Sequence, residues 1–501
     1  MLLLRAAPPA LIGLLMLCSP ARGNDLEKTV QDTVSRYRAQ LNELADWCDQ
    51  RGLKEQAERT RFWASPRSPA KIYVAVLPKE EGSLRTPEGV TGDLAEWHTR
   101  FAGLRTKQAS VLFELARRAV VGNRHSLAVD LVLTAIREDP DHAACRRLLG
   151  YQPFQGQWCT AFEARRYRSG YVWHEKFGWL PRNHVTRYEQ GMRNFSGRWV
   201  TAEEEARLRR DIRSGWDIET EHYKIRTNHS LEAGVQLGVK LEELNRVWRQ
   251  LFVRYYLTEQ QVSDLFAGRA RNRGDMPQHS IVYFRDREDY VRALRPAIPS
   301  IEITIGVYAE NINRAYFFAG KDYDERTLLH EATHQLFHET RPVPPGIGAK
   351  SNFWIVEGVA LYMETLHEEN GFHVLGGWED IRVQAARYRL LHDNFYVSLA
   401  DFTAYGRARL QGDPRIATLY SQAAGLSHFL VHYDGGRYRD ALVNYLSLVY
   451  SGQDNSTTLA RLAGVSYTEL DRQYREYMEG APVATPNAAE EPAAITTSAD
   501  H

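Results

Sequence analysis

Residues 327–338 read TLLHEATHQLFH, and the H-E-x-x-H string inside them, His330, Glu331 and His334, constrains the fold more than any other segment of the chain. On an α-helix, positions four apart share one face a turn from each other, so the two imidazoles can close on a single metal ion. Glu331 then stands beside the pair, placed to take a proton from a water whose pKa such an ion lowers from about 15.7 to near 7. The flanking Leu328, Leu329, Ala332 and Leu336 give the segment a buried side, as a site set into a domain interior requires. The plainer reading of the same residues is a helix carrying two structural histidines.

The residues that follow favour the metal. A Pro/Gly-rich loop, RPVPPGIGAK over residues 341–350, leads into FWIVEGVALYMET over residues 353–365, whose apolar residues recur at helical spacing with Glu357 near the start. A hydrolytic zinc ion needs three protein ligands and one open position, and a Glu from a second helix packed on the first supplies the third. The other reading of Glu357 is a helix-start carboxylate facing water. Its company, Trp354, Ile355, Val356, Val359, Ala360 and Leu361, is that of a paired or metal-bound acid. The other common extension, H-E-x-x-H-x-x-G-x-x-H, is absent, because Phe337 and Thr340 stand where it needs Gly and His. His338 is one turn beyond His334, and three ligands along one straight helix cannot converge on one ion, so it is read as a neighbour or a structural residue.

HEATH, a short loop and WIVEGVALYME together resemble the gluzincin metallopeptidases, most closely the W-x-x-E-G-x-x-x-Y-x-E helix of the aminopeptidase N and leukotriene A4 hydrolase group. The resemblance continues at Tyr420-Ser-Gln-Ala-Ala-Gly, similar to a Y-x-K-G-A segment whose tyrosine donates to the oxyanion of the tetrahedral intermediate. A phenol with pKa near 10 can do so at neutral pH. The resemblance also implies that Glu364 orients a ligand imidazole from behind. Gly306-Val-Tyr-Ala-Glu-Asn resembles the G-x-M-E-N strand that holds a substrate amine in aminopeptidases, but has one extra residue and lacks the Met, which puts exopeptidase activity in doubt. The run RAYFFAG, residues 314–320, reads as a β-strand and is expected to be the edge strand that pairs with an extended substrate. A broader resemblance, over residues 216–478, is to a largely uncharacterised group of secreted bacterial gluzincin-like proteins sharing a Tyr-x-x-x-Thr-Asn strand, here within HYKIRTN.

At 501 residues the chain has length for about three folding units. Its 63 Lys+Arg balance 63 Asp+Glu, which gives no basic excess for nucleic acid or an anionic membrane. Residues 1–23 have the layout of a secretory signal peptide, too short for a dependable membrane span, and no later segment approaches 18 uninterrupted apolar residues. Leu17 before Cys18 argues against a lipoprotein signal. The expected location is therefore secreted or periplasmic, without an integral membrane segment once the signal is cleaved. Three cysteines remain, Cys48, Cys145 and Cys159. An oxidising compartment allows one pair, the last two being nearest in sequence, and none is assigned to the metal.

The expected class is a multidomain α+β protein. Residues 24–150 read as an α-helical module, beginning with one amphipathic helix over residues 25–64 and containing an Ala-rich helix pair similar to tetratricopeptide repeats, a surface for a protein partner. Residues 151–212 form a small repeat module in which Gly156-Gln-Trp158-Cys-Thr160-Ala-Phe-Glu163 recurs as Gly197-Arg-Trp199-Val-Thr201-Ala-Glu-Glu204. Each copy supplies a turn, a Trp to bury and a Thr-x-x-Glu to cap a helix. Residues 213–480 are expected to be the gluzincin-like domain, a half with an antiparallel-leaning sheet followed by a helical half, and residues 481–501 a disordered tail. The functional expectation is a secreted zinc metallopeptidase cutting a peptide or protein substrate. It would hold one Zn2+ on His330, His334 and Glu357, with Glu331 as general base and Tyr420 at the oxyanion. A non-catalytic binding scaffold with a relic fold, and a hydrolase of non-peptide amides or esters, stay open on the sequence.

Overall fold

The single helix expected over residues 25–64 is two helices, Ala21–Gln50 and Lys54–Ala64. Gly52 takes φ +74°, and the Leu53 N–H returns to the Cys48 carbonyl at 2.9 Å, closing the first helix with a left-handed glycine. The structure, a computed structural model, describes residues 21–269, 278–321 and 323–480. The signal peptide expected over residues 1–23, Cys18 included, lies outside these except for its last three residues, and the expected tail lies wholly outside. By internal contacts the chain divides into two units, residues up to 65 with 89–104, and residues 66–88 with those from 105 onward. The first has its own core, in which Leu41, Leu44 and Cys48 meet Trp97 and Phe101, and the Trp97 indole donates to Thr60 Oγ1 at 3.0 Å.

The second unit mixes helices with several small sheets. Its repeat module is three hairpins rather than two, Tyr151–Phe154 with Gln157–Thr160, Tyr171–His174 with Gly178–Pro181, and Met192–Phe195 with Arg198–Thr201. The outer two turn on Gln155-Gly156 and Ser196-Gly197, all four residues at positive φ, the backbone that a two-residue hairpin demands. The middle hairpin has a three-residue loop, and its Gly178 (φ +71°) opens the return strand next to Trp179. That one-residue displacement hides the copy from a sequence comparison. Thr160 and Thr201 cap the following helices, accepting from the Glu163 and Glu204 amides as their spacing predicts.

Downstream, the principal elements are β1 (Trp216–Glu219), β2 (Tyr223–Thr227), α1 (Leu231–Leu251), β3 (His279–Phe284), β4 (Gly306–Ala309), β5 (Arg314–Phe318), α2 (Glu325–Glu339), α3 (Phe353–Met363), α4 (Ile381–Leu391), α5 (Arg407–Gln411), α6 (Ile416–Gly436), α7 (Arg439–Val449) and α8 (Tyr467–Glu479). The sheet runs in the order β4-β5-β3-β2-β1. It is mixed rather than antiparallel-leaning: its two central pairings, β5 with β3 and β3 with β2, are parallel, and only the outer two are antiparallel. The expected edge strand is also displaced. β5 is paired on both sides; the outer strands are β4, beside it, and β1 at the far side.

Alternation along the strands divides the sheet's two faces. Ile281, Tyr283, Ala315 and Phe317 join the main core with Leu241 and Trp248 of α1 and Leu328, Ala332 and Leu336 of α2. Phe284, Tyr316 and Phe318 face a smaller core with Tyr290, Leu294 and Ile301. The helix α1 rides close to the sheet because Gly234 presents no Cβ; one built there would stand 2.6 Å from Ile218 Cδ1. Beyond α2 the chain is largely helical, with α3 packed on α2 and on α6. Among the described residues no helix is long and apolar enough to cross a membrane. Cys48, Cys145 and Cys159 are all buried and free, and burial pushes the Cys145 thiol up to about 12.

Candidate functional site

Asp324 caps α2 by accepting from the Arg326 amide, and the helix then carries His330 and Glu331 into the interior, 7% and 3% exposed. The two imidazoles converge, His330 Nε2 lying 3.0 Å from His334 Nε2. From α3, Glu357 brings Oε2 to 3.3 Å from His330 Nε2 and 3.9 Å from His334 Nε2. Three donors on a tetrahedral ion with bonds of 2.0–2.1 Å stand about 3.3 Å apart, so this triangle matches a zinc-sized site. Among the described residues, His330, His334 and Glu357 are the one such cluster of His, Cys, Asp and Glu.

The donor chemistry fits a cation as well as the distances do. The His330 Nδ1 hydrogen is directed at Glu364 Oε1, 2.8 Å away, which turns a lone pair of Nε2 toward His334 and Glu357. Facing lone pairs and a carboxylate at such range repel unless something positive sits among them. Burial opposes charging His330, but hydrogen bonds to Glu357 and Glu364 outweigh it and lift the imidazole to about 10. Burial instead pushes His334 down to about 3. Glu357 ends below the usual carboxylate range, because His330 and His334 overcome its desolvation.

Glu331 is held beside the triangle, its Oε2 accepting the Tyr308 backbone N–H of β4 at 2.9 Å, and burial raises it to about 7. Tyr420, 1% exposed at the start of α6, is brought to the same place: burial first, then the Glu357 charge and a hydrogen bond to that carboxylate, keep its phenol protonated far above neutrality. Glu364, the C-cap residue of α3, is itself braced by Arg382 Nε of α4 at 3.2 Å. All six residues singled out from the sequence thus meet in one region. His338 stays outside the triangle, with Nδ1 3.1 Å from the Tyr308 hydroxyl.

The close fit of α3 on α6 sets the position of Glu357. A Cβ at Gly358 would fall 2.6 Å from Ser427 Oγ and 2.9 Å from the Ala423 carbonyl, so only glycine lets the two helices approach this far. Sequence reasoning missed two contributors. The Tyr308 amide carries no side-chain signature, and Arg382 follows Glu364 with no motif between them. A cavity of about 1550 Å³ lies elsewhere in the unit, lined by residues such as Arg147, Phe162, Arg246 and Tyr256 and by none of the six. No protein-family model matches this chain, and no curated protein matches it.

Proposed function

We propose that the chain is a zinc-dependent metallopeptidase of the gluzincin type, exported from the cytoplasm, with His330, His334 and Glu357 holding one Zn2+. The observation that carries this reading is the triangle of donor atoms, 3.0 to 3.9 Å on its edges, with a buried carboxylate beside it that is not needed as a ligand. A bound zinc ion would supply Lewis acidity, acidifying water and polarising a carbonyl. The side chains provide the rest. Glu331, with a pKa near neutrality, takes a proton from water and passes it to the leaving amine, and the Tyr308 amide fixes the carboxylate in place for both transfers. Tyr420 donates its phenolic hydrogen toward the oxygen on which negative charge develops. Glu364 and Arg382 hold the His330 ring in one orientation. The outer strand β4, one strand over from the segment read as the edge in the sequence, is where an extended peptide would lie, beyond the Tyr308 amide that Glu331 occupies.

Metal analysis of the purified protein, followed by digestion of an unbiased peptide library with and without chelator, tests the reading. One equivalent of zinc and chelator-sensitive cleavage are expected. Glu331→Gln should keep the metal and lose hydrolysis by at least about a hundredfold, the scale of a general acid–base contribution. Near-normal turnover by Glu331→Gln removes the general-base assignment. A chain that holds metal, cuts no peptide and hydrolyses simple esters instead would replace the substrate class.

A further inference from the structure

We propose that the cavity of about 1550 Å³, which none of the six site residues lines, is a second binding site for an organic anion. Its ligand carries a carboxylate or phosphate head, held by Arg246, Arg249 and Arg147, on an apolar body. The site stands apart from the hydrolytic reading above and does not depend on it.

The cavity lies wholly within the second unit, where the helical module and the first hairpin of the repeat module meet α1. The helix α1 has two faces. Leu241, Leu244, Val247, Trp248 and Leu251 enter the main core, whereas Glu242, Asn245, Arg246 and Arg249 recur at three- and four-residue steps along about 10 Å of helix and line the cavity. The same cavity is walled by Val129, Val132 and Leu133 of the helix His125–Glu138 and by Leu265 and Phe266 of the helix Glu259–Phe266. One enclosure therefore has both a charged wall and apolar walls.

The charges on these walls are unevenly satisfied. The three acids are engaged. Glu242 accepts the Thr220 hydroxyl and the His222 amide, each at 2.6 Å, and lies 2.7 Å from His222 Nδ1. Glu219 pairs with Arg166, and burial holds Glu221 above the usual carboxylate range. Three of the arginines have no acid. Arg249 is tied to neutral groups, its Nε donating to Asn245 Oδ1 at 2.9 Å and its guanidinium lying 5.2 Å from the Tyr256 ring centre. Asn245, 1% exposed, is left with Nδ2 unpartnered among the described residues. The side chains of Arg246 and Arg147 make no hydrogen bond or ion pair with any described residue, and Glu243, one turn back on α1, feels the Arg246 charge only from beyond ion-pairing range. Neighbouring Arg146, which is buried, is lowered first by burial and then by the Arg246 charge.

Guanidinia crowded on one cavity without a counter-charge favour an arriving oxyanion, whose oxygens match their planar forks. A cation would meet like charge and no acid open to receive it. Size decides the rest. The volume exceeds the about 300–1,000 Å³ of an ordinary small-molecule site, so an inorganic ion would leave most of it as water against apolar side chains, which an apolar body covers.

The test titrates the full-length protein by calorimetry with four eight-carbon probes that differ in head group: octanoate, octyl phosphate, octanol and octylammonium. Acetate and inorganic phosphate supply the heads without the body. The tighter of octanoate and octyl phosphate, which identifies the head, should bind about tenfold or more tightly than octanol, the range of one hydrogen-bonded charge, and more tightly than its bare head by a similar factor. Octylammonium should bind most weakly. Arg246→Gln should reduce the anion's affinity about tenfold and Arg246→Lys by less, with metal content unchanged in both. If Arg246→Gln fails to fold, Arg147→Gln, at an exposed position, decides by a severalfold loss. Octanol binding as tightly as the anions, acetate or phosphate binding as tightly as its octyl form, binding of no probe, or an affinity that survives both Arg246→Gln and Arg147→Gln overturns the proposal.

Discussion

Two pairs of histidines in this chain share the same spacing and opposite surroundings. His330 and His334 on α2, and His428 and His432 on α6, are each four apart and sheltered, with ring centres 4.7 and 4.5 Å apart. In the first pair the imidazole nitrogens face each other and a carboxylate, and a further carboxylate takes the remaining hydrogen of His330. In the second, neutral groups occupy three of the four nitrogens: the Tyr362 hydroxyl and Pro69 carbonyl on His432, and the Tyr477 hydroxyl on His428. Helical spacing brings two rings together; the charge arriving from a neighbouring helix decides whether they can hold an ion. The largest expected effect breaks this contrast directly. His334→Ala or Glu357→Ala should weaken zinc binding by more than about a hundredfold, since outer partners alone are worth 10–100-fold, whereas His428→Gln should leave zinc content unchanged. Metal stoichiometry after dialysis against a graded chelator reads both, and zinc lost from His428→Gln would mean that spacing, not company, makes the site.

The second pair should appear in stability rather than in metal content. Burial pushes His428 down to about 4, with Asp380 and Glu379 offsetting it only in part. His432 is held well below the usual value by burial, then by His428 beside it and by Arg439. Above about pH 6.5 these rings are neutral in folded and unfolded chain alike. As pH falls from there toward 4, the unfolded chain takes up protons that the folded one refuses, so stability is lost on acidification, by about 3 kcal/mol for His428 alone. Denaturant midpoints at pH 7.5 and 4.5, in chelator so that metal release does not contribute, should show that loss. A His428→Gln, His432→Gln protein should show a flatter dependence, and an unchanged slope in it would remove the buried pair as the cause.

What the sequence disclosed follows the same division between local and remote. The motif helix, the strand HYKIRTN and the helix WIVEGVALYM could be read because each is set by residues within one or two turns of one another. The strand order could not, because β5 becomes interior only through partners 34 and 9 positions away in the chain, Ser280 beside Arg314 on one side and Val307 beside Tyr316 on the other. The third hairpin was hidden by one inserted loop residue. Of the candidate site, the residues whose donor atoms cluster were legible from residue type and spacing. The groups that brace Glu331 and Glu364, the Tyr308 amide and the Arg382 guanidinium, were not, since a backbone N–H has no letter and an arginine reaches its partner only in the folded chain.

Glu364 sharpens the contrast at smaller amplitude. It does for His330 what the Tyr477 hydroxyl does for His428, fixing one ring nitrogen, but it does so with a charge that strengthens the ring as a donor. Glu364→Gln keeps the hydrogen bond and removes the charge, and should cost about 10–100-fold in zinc affinity with the fold intact. Zinc competition against a chromogenic chelator measures it; an unchanged affinity would reduce Glu364 to a packing residue held by Arg382.

The smallest effect comes from the element that the two histidine pairs share. The helix α3 supplies Glu357 to the first pair and the Tyr362 hydroxyl to the second, and Gly358 lets it lie against α6. In Gly358→Ala the new methyl would meet Ser427 Oγ, which can rotate aside, and the Ala423 carbonyl, which cannot, so the two helices must part by a few tenths of an ångström. Overpacking of this kind costs about 1–3 kcal/mol, less the gain in helix propensity of Ala over Gly, near 1 kcal/mol. The net loss should lower the melting temperature by a few degrees. Its signature lies in how it is distributed. Moving α3 outward withdraws the Glu357 carboxylate from His330 and the Tyr362 hydroxyl from His432 together, so zinc affinity and acid stability should fall in the same variant, although Gly358 touches neither histidine. A variant that melts lower with zinc affinity and pH dependence both unchanged would show that the two pairs are positioned independently, each by its own helix.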